Sequence, residues 1–367
     1  MSMTNFLEYA RVGLLFGGIV LVMVTIFEVG MMAMRAATGE LETVQYPQPD
    51  YAFGQLPGIR FPYQAGVVRP QTYQANFGAW PYYGEYMGGG YYMVPIYKLP
   101  KVGYDLTSDQ KARQIAMNLG FAGEPQIIDQ RTYLYNYPGP PLRETLQIDL
   151  KTMFLEFDTN YLSSSNIFGT IDRRGDRQIP LRTDAIKATR DFLSAAGIAP
   201  RDLSDQASSV QYMTSIGDSL QLVNTALEAD YAVVNLAREP VEGKIGEETA
   251  YFNFYGPDGY GSIRAVVGRD SSGQDAVVEL TDNYHELDLS TFGTYPLTSA
   301  SAAWETLTAG GGYIINPRGV RTAVIDSIEF GYYESHDEQE FLLPIYVFRG
   351  QNDFMAYVPA LLPGMYY

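Results

Sequence analysis

The longest apolar run of the chain, residues 12–34, constrains its architecture most. It reads VGLLFGGIVLVMVTIFEVGMMAM, and Glu28 is its only charged residue. As a helix rising about 1.5 Å per residue it would be about 34 Å long, enough to cross a bilayer core of about 30 Å. The run is longer than the apolar core of a usual cleaved signal peptide. We therefore predict one N-terminal transmembrane helix at the cell membrane, in a single-pass protein whose C-terminal domain is extracytoplasmic.

The same run contains residues that suit contact with another membrane helix. Gly13 and Gly17 form a GxxxG spacing, which permits close helix approach. Glu28 is costly inside a bilayer unless it finds a partner or lies near the interface. The pattern therefore predicts either a helix that contacts a membrane partner or a lone anchor with tolerated glycines.

The charge and the absence of cysteine exclude several classes of function. The net charge of -17 repels phosphate backbones, so we expect no nucleic-acid partner. The chain has no cysteine, which excludes disulfides, thiolate nucleophiles and zinc–cysteine sites. It also lacks Asn-X-Ser/Thr acceptors. Together these features favour a bacterial or archaeal envelope protein without a cofactor.

Three capped helices, each followed by strand-like segments, are predicted after the anchor. They cover residues 107–119, 183–196 and 298–309, each with a Ser, Thr or Asp at its start and a Gly after its end. A helix followed by hairpins must bury its apolar face on a sheet. We therefore predict an α+β fold with one N-terminal transmembrane helix and an ectodomain of about three helix-plus-antiparallel-sheet units. The predicted segments are a tail and anchor (1–37), a Tyr/Pro/Gly-rich extended segment (38–104) and three units (105–180, 181–296 and 297–367).

The last unit resembles the YycH/YycI-type, PepSY-like extracytoplasmic regulatory proteins. The residues that carry the resemblance are AAW at 302–304 with Leu307 and Gly310, IDSIEFGYY at 325–333 and LPIYVF at 343–348, with Tyr346 where tryptophan is common. These are packing residues, so the resemblance implies a fold first. It also implies non-catalytic regulation of a membrane protein partner, such as a sensor kinase or an envelope complex.

A serine hydrolase of the GDSL type is the alternative from another class. The chain has GDSL at 217–220, with Ser219 as nucleophile, and DNYH at 282–285, with His285 as general base. A GQND segment at 350–353 is similar to the block that supplies an oxyanion donor, but it follows both other blocks instead of lying between them. This order, and the predicted antiparallel strands, make us prefer a protein that is not an enzyme.

Two further clusters have alternative interpretations. Trp80, Tyr82 and Tyr83 could form an aromatic surface that stacks on sugar rings, which would make the chain a cell-wall or polysaccharide-binding module. The acidic segment 334–340 lacks the alternating ligand spacing of a calcium loop, so we predict a solvated turn and no metal. The oligomeric state is not encoded in any of these patterns.

Overall fold

The computed structural model describes most of the chain from residue 48 onward. The described ranges are 48–64, 67–78, 92–100, 107–137, 144–162, 181–245, 248–259, 261–270, 273–315, 320–335 and 337–367. These residues form the α-helices α1 (Ser108–Asn118), α2 (Arg182–Ala196) and α3 (Ala300–Thr308). The strands are β1 (Thr72–Ala75), β2 (Met93–Lys98), β3 (Gln126–Ile128), β4 (Thr132–Tyr137), β5 (Glu144–Asp149), β6 (Leu155–Asp158), β7 (Leu203–Ile216), β8 (Ser219–Leu222), β9 (Tyr231–Arg238), β10 (Val241–Ile245), β11 (Glu248–Tyr255), β12 (Ile263–Arg269), β13 (Asp275–Asp282), β14 (Phe292–Pro296), β15 (Tyr313–Ile314), β16 (Thr322–Tyr333), β17 (Phe341–Gly350) and β18 (Met355–Pro359).

Sheet A is antiparallel throughout and has the strand order β3-β4-β5-β6-β13-β12-β9-β7-β8. One face packs against α1 and α2, and its core includes Ile115 and Leu193 from the helices with Ile148 and Leu280 from the strands. The other face carries a smaller cluster around Tyr161 and Tyr231. Sheet A is therefore a long antiparallel sheet with helices on one side only.

Sheet B is mixed and is built around the long hairpin of β16 and β17. Its main path is β10-β11-β16-β17-β18-β15, and β1, β2 and β14 join beside it. Both β1 and β11 run parallel to β16. One face packs against α3 through buried residues such as Ala303 and Leu307. The opposite face is covered by Ile59 and Phe61 from the segment that precedes β1.

The helix predictions are confirmed within a few residues because their signals are local. In α2 the buried residues include Ala185, Ile186, Thr189 and Leu193, the spacing of one helix face. Gly197 ends this helix at φ 79°, a left-handed conformation in which a Cβ is unfavourable. The predicted side-chain cap is present at α3, where Ser299 Oγ accepts the N–H of Ala302 at 3.1 Å. The predicted caps of α1 and α2 are wrong, because Thr107 makes no side-chain cap hydrogen bond and α2 starts after Leu181.

The prediction of three helix-plus-antiparallel-sheet units is wrong. Both α1 and α2 pack on the same sheet, and β13 of the second predicted unit pairs with β6 of the first, with Leu280 opposite Phe157. Other strands of the second unit, β10, β11 and β14, belong to sheet B. The described part of the chain is thus mostly β, in two large sheets. Strand patterns predict that a strand exists but not its partner, which depends on contacts distant in sequence.

The predicted transmembrane helix was part of the same fold prediction. Residues 12–34 lie outside the described residues. Within the described ranges, no helix is both long enough and apolar enough to cross a membrane.

Candidate functional site

A fully buried arginine joins the two sheets. Arg238 is the last residue of β9, and its side chain is 0% exposed. Its Nη1 donates to Asp202 Oδ2 at 2.7 Å, and its Nε donates to Glu334 Oε1 at 2.7 Å. Its Nη2 donates to the carbonyl oxygen of His285. Because Glu334 follows β16 of sheet B and the other groups belong to sheet A, this ion-pair network fixes one sheet against the other.

Aromatic and amide groups complete the junction around Arg238. The guanidinium carbon lies 3.9 Å from the centroid of the Tyr284 ring and 5.6 Å from that of Phe254. The Tyr284 hydroxyl donates to Asp202 Oδ1 at 2.7 Å. The side-chain amide of Asn283 donates to the carbonyl oxygen of Ser335 at 2.6 Å. Glu334 Oε2 and Asn283 Oδ1 are buried without a hydrogen-bond partner among the described residues. The contacts of Arg238 must therefore offset most of the desolvation cost of the buried charges.

A polar cleft of about 990 Å³ opens between the two sheets. Residues 57–60, the β3–β4 and β5–β6 turns and the loop between β16 and β17 line it. Its charged lining residues are Arg60, Asp129, Arg131, Asp149, Lys151, Asp337, Glu338 and Glu340. Carboxylates therefore outnumber cations in the lining of this inter-sheet cleft.

Side-chain hydrogen bonds hold the loops of the cleft in place. Asp149 Oδ1 accepts the backbone N–H groups of Lys151 at 2.8 Å and Thr152 at 3.0 Å, which shapes the β5–β6 turn. Lys151 then forms an ion pair with Glu338 across the cleft. On the other side, Gln339 Oε1 accepts the N–H of Ser335 at 2.8 Å. The cleft is thus framed by loops whose backbones are fixed by neighbouring side chains.

A smaller cavity of about 730 Å³ is lined by Asp282, Tyr284 and His285 of the DNYH segment. Burial raises the pKa of the Asp282 carboxyl to about 7, although the Tyr284 N–H and Arg238 act in the opposite direction. Burial, and then the Arg238 charge, lower the pKa of His285 to about 4. At neutral pH His285 is therefore uncharged, and Asp282 is only partly ionised.

These two pKa values predict opposite effects of pH on stability. The contribution of Asp282 to the free energy of unfolding is complete below its unfolded pKa of 3.8, and it is lost as the pH rises through about 7. The contribution of His285 is complete above its unfolded pKa of 6.5 and is lost as the pH falls through about 4.

We expect Asp282→Asn to raise the free energy of unfolding at pH 8 by about 1 kcal/mol or more, since one pKa unit corresponds to about 1.4 kcal/mol. At pH 4 the variant should match the wild type, because the carboxyl is then protonated in the folded state. Urea denaturation at both pH values measures the difference. Asp184→Asn, at the exposed start of α2, is the control. An equal effect of Asp282→Asn at the two pH values would contradict this prediction.

The structure does not bring the predicted hydrolase residues together. Gly217 has φ 60° and turns β7 into β8 at the edge of sheet A, so Gly217 and Asp218 form a hairpin turn and Ser219 begins β8. His285 instead lies beside Arg238, at the opposite end of β9. Ser219 pairs with the end of β7, which extends past the start of β9, whereas His285 lies at the end of β9. At about 3.3 Å per strand residue, Ser219 and His285 are therefore about 30 Å apart. Asn352 lies in the turn between β17 and β18 of sheet B.

The other predicted site residues lie outside the described residues. This applies to the membrane-helix contact residues Gly13, Gly17 and Glu28 and to the aromatic surface of Trp80, Tyr82 and Tyr83. Both predictions therefore stay predictions.

Sequence reasoning did not identify the junction around Arg238. One signal was present: the strand YAVVNLAR is apolar over most of its length and ends in a single charge. The sequence predicts a solvated turn at 334–340, but the Glu334 side chain is only 9% exposed because it pairs with Arg238. No local pattern indicates that Asp202, Arg238 and Glu334 meet.

Comparison with known proteins adds little to this geometry. No protein family model matches the sequence, and no curated protein matches it. An uncharacterized protein of known structure from Eubacterium rectale ATCC 33656 is similar with 11% identity and a TM-score of 0.34, over 80% of this chain and 88% of that one. At that level the similarity assigns neither a family nor a function, and the resemblance to YycH/YycI-type proteins stays a prediction.

Proposed function

We propose that this protein is a non-catalytic binding protein of the cell envelope, which holds a basic segment of a protein partner in the inter-sheet cleft. The observation that carries the proposal is the cleft itself, about 990 Å³ in volume and lined by loops of both sheets. Sites of this size are common where two structural layers meet. A partner such as a sensor kinase or an envelope complex, predicted from the sequence, fits a protein at the membrane.

The charges of the cleft favour a basic partner segment. Lys151 is engaged by Glu338, and Arg131 Nε lies 2.8 Å from Asp149 Oδ2. Asp129 and Asp337 are exposed in the lining, and no described cation forms an ion pair with either. The net charge of -17 adds a field that attracts cations over a longer range. Lysine or arginine side chains of a partner would thus meet exposed carboxylates that no described cation occupies.

Binding of a pentalysine peptide to the full-length protein tests the proposal. We expect saturable binding that weakens at least about threefold in the double variant Asp129→Asn/Asp337→Asn, because each change removes a carboxylate from the cleft. Asp129 has φ 52°, a conformation that asparagine also tolerates. Isothermal titration calorimetry at low and physiological salt gives the affinities.

The matched control is Asp184→Asn/Asp218→Asn, which removes the same charge from exposed sites on α2 and in the β7–β8 turn. Equal weakening in both double variants, or no binding by the wild type, would overturn the proposed site. A fluorophosphonate probe tests the rival hydrolase. Labelling of the wild type that is lost in Ser219→Ala would contradict the non-catalytic function.

A further inference from the structure

The smaller cavity is lined mainly by elements of sheet A and its helices. One face of α1 along its length, the C-terminal end of α2 with the residues after it, the β5–β6 turn and the residues at and after the end of β13 line it. Ile115, Met153, Leu155 and Ile198 supply apolar walls. The cavity shares only Lys151 and Thr152 with the inter-sheet cleft, so we treat it as a separate site.

Asp282 is a buried carboxyl that lines this cavity and forms no ion pair with a described cation. The residue is only 8% exposed. Its Oδ1 accepts the Tyr284 N–H at 2.8 Å, whereas among the described residues no group donates to Oδ2. Arg238 is committed to Asp202 and Glu334, and the ring of Tyr284 covers its guanidinium. A carboxylate in this position has a desolvation cost that a cationic ligand would offset.

The surroundings indicate the class of ligand. Within the described residues, no group of three or more His, Cys, Asp or Glu side chains could hold a metal ion. The volume of about 730 Å³ lies within the range typical of sites for small organic molecules. We infer that this cavity binds a small organic molecule whose primary ammonium group pairs with Asp282 and whose aliphatic part packs against the apolar walls.

The other charged residues that line the cavity indicate a second group of the ligand. Those that line the cavity with Asp282 are Lys111 from α1, Lys151 from the β5–β6 turn, Arg201 before β7, and Glu286 with the neutral His285 after β13. Lys111 and Arg201 are exposed and belong to the rim. A carboxylate on the same ligand would meet the guanidinium of Arg201 at the rim. We therefore expect an ω-amino carboxylate as the ligand, with its ammonium group on Asp282 and its carboxylate on Arg201.

Calorimetric titration of the full-length protein with ω-amino carboxylates, from glycine to 6-aminohexanoate, tests this inference. We expect at least one member to bind at a single site, and its N-acetylated form to bind at least about tenfold more weakly because it lacks the ammonium charge. Asp282→Asn should weaken the binding by a similar factor, whereas Asp184→Asn should leave it unchanged. Binding to the wild type should also weaken as the pH falls below about 7, where Asp282 becomes protonated.

Two outcomes would overturn the inference. One is that no member of the series binds the wild type. The other is binding that persists in Asp282→Asn or in the acetylated compounds. If Asp282→Asn failed to fold, the pH series would still test the role of Asp282, because it measures binding by the wild-type protein. Pentalysine binding by Asp282→Asn should remain intact, so failure at this cavity is distinguishable from failure of the proposed cleft.

Discussion

Replacing Arg238 by Met will lower the free energy of unfolding by about 3–5 kcal/mol, the usual cost of removing one partner from a buried ion pair. The variant keeps the apolar stem but leaves Glu334, whose side chain is 9% exposed, without its cation. Asp202 is 38% exposed and can hydrate, so most of the loss should come from Glu334. Urea denaturation of the full-length protein, followed by circular dichroism, measures this change.

Arg113 offers a matched control at the surface. It pairs with Asp109 at 3.1 Å and Glu124 at 2.6 Å and lies 5.5 Å from the centroid of the Tyr133 ring, much as Arg238 pairs with two carboxylates and stacks on Tyr284. Its side chain is 37% exposed, so Arg113→Met should cost several times less than Arg238→Met.

A second variant isolates the role of charge at this junction. Arg238→Met combined with Glu334→Gln should be more stable than Arg238→Met alone, because no unpaired buried carboxylate remains. If the combined variant were less stable than the single one, the junction would not depend on charge compensation.

Phe348→Ala should also destabilise the protein by about 3–5 kcal/mol, since it leaves a cavity in a fully buried core. Phe348 is 0% exposed in β17, and its ring centroid lies 6.1 Å from that of Trp304 on α3. This contact holds the helix on sheet B. The loss should appear as a lower urea midpoint together with a change in tryptophan fluorescence.

Phe292→Ala serves as its control. Phe292 also has one aromatic neighbour at 6.1 Å, Tyr97, but the residue is 48% exposed. We therefore expect a much smaller loss of unfolding free energy, because folding buries less apolar surface at this position. Equal losses in the two variants would show that the α3 contact is not part of the stabilising core.

The prediction of individual elements succeeded where the signal lies within a few residues. The helix ending at Gly197 follows from the left-handed backbone conformation that this glycine adopts. The assembly of these elements into three units failed. Strands β11 and β16 pair in parallel although they are distant in sequence, and nothing in either strand specifies the other.

For the candidate site, too, the sequence indicates individual residues but not their arrangement. The DNYH segment predicts the general base of a hydrolase, and its Asp282 and His285 do line one cavity. Ser219, which the hydrolase hypothesis requires beside them, lies at the far end of the sheet. Motif spacing along a chain does not encode the distance between strand ends, so the sequence could propose these residues but not their arrangement.

By itself, the sequence determined the acidic charge, the absence of cysteine chemistry and the three helices, because each depends on composition or on neighbouring residues. Only the tertiary structure decided that Arg238 meets Asp202, 36 positions away, and Glu334, 96 positions away. The physical reason is that a buried charge is stable only where distant segments bring its partners together. That requirement selects among folded arrangements, and it leaves no repeating pattern in the chain.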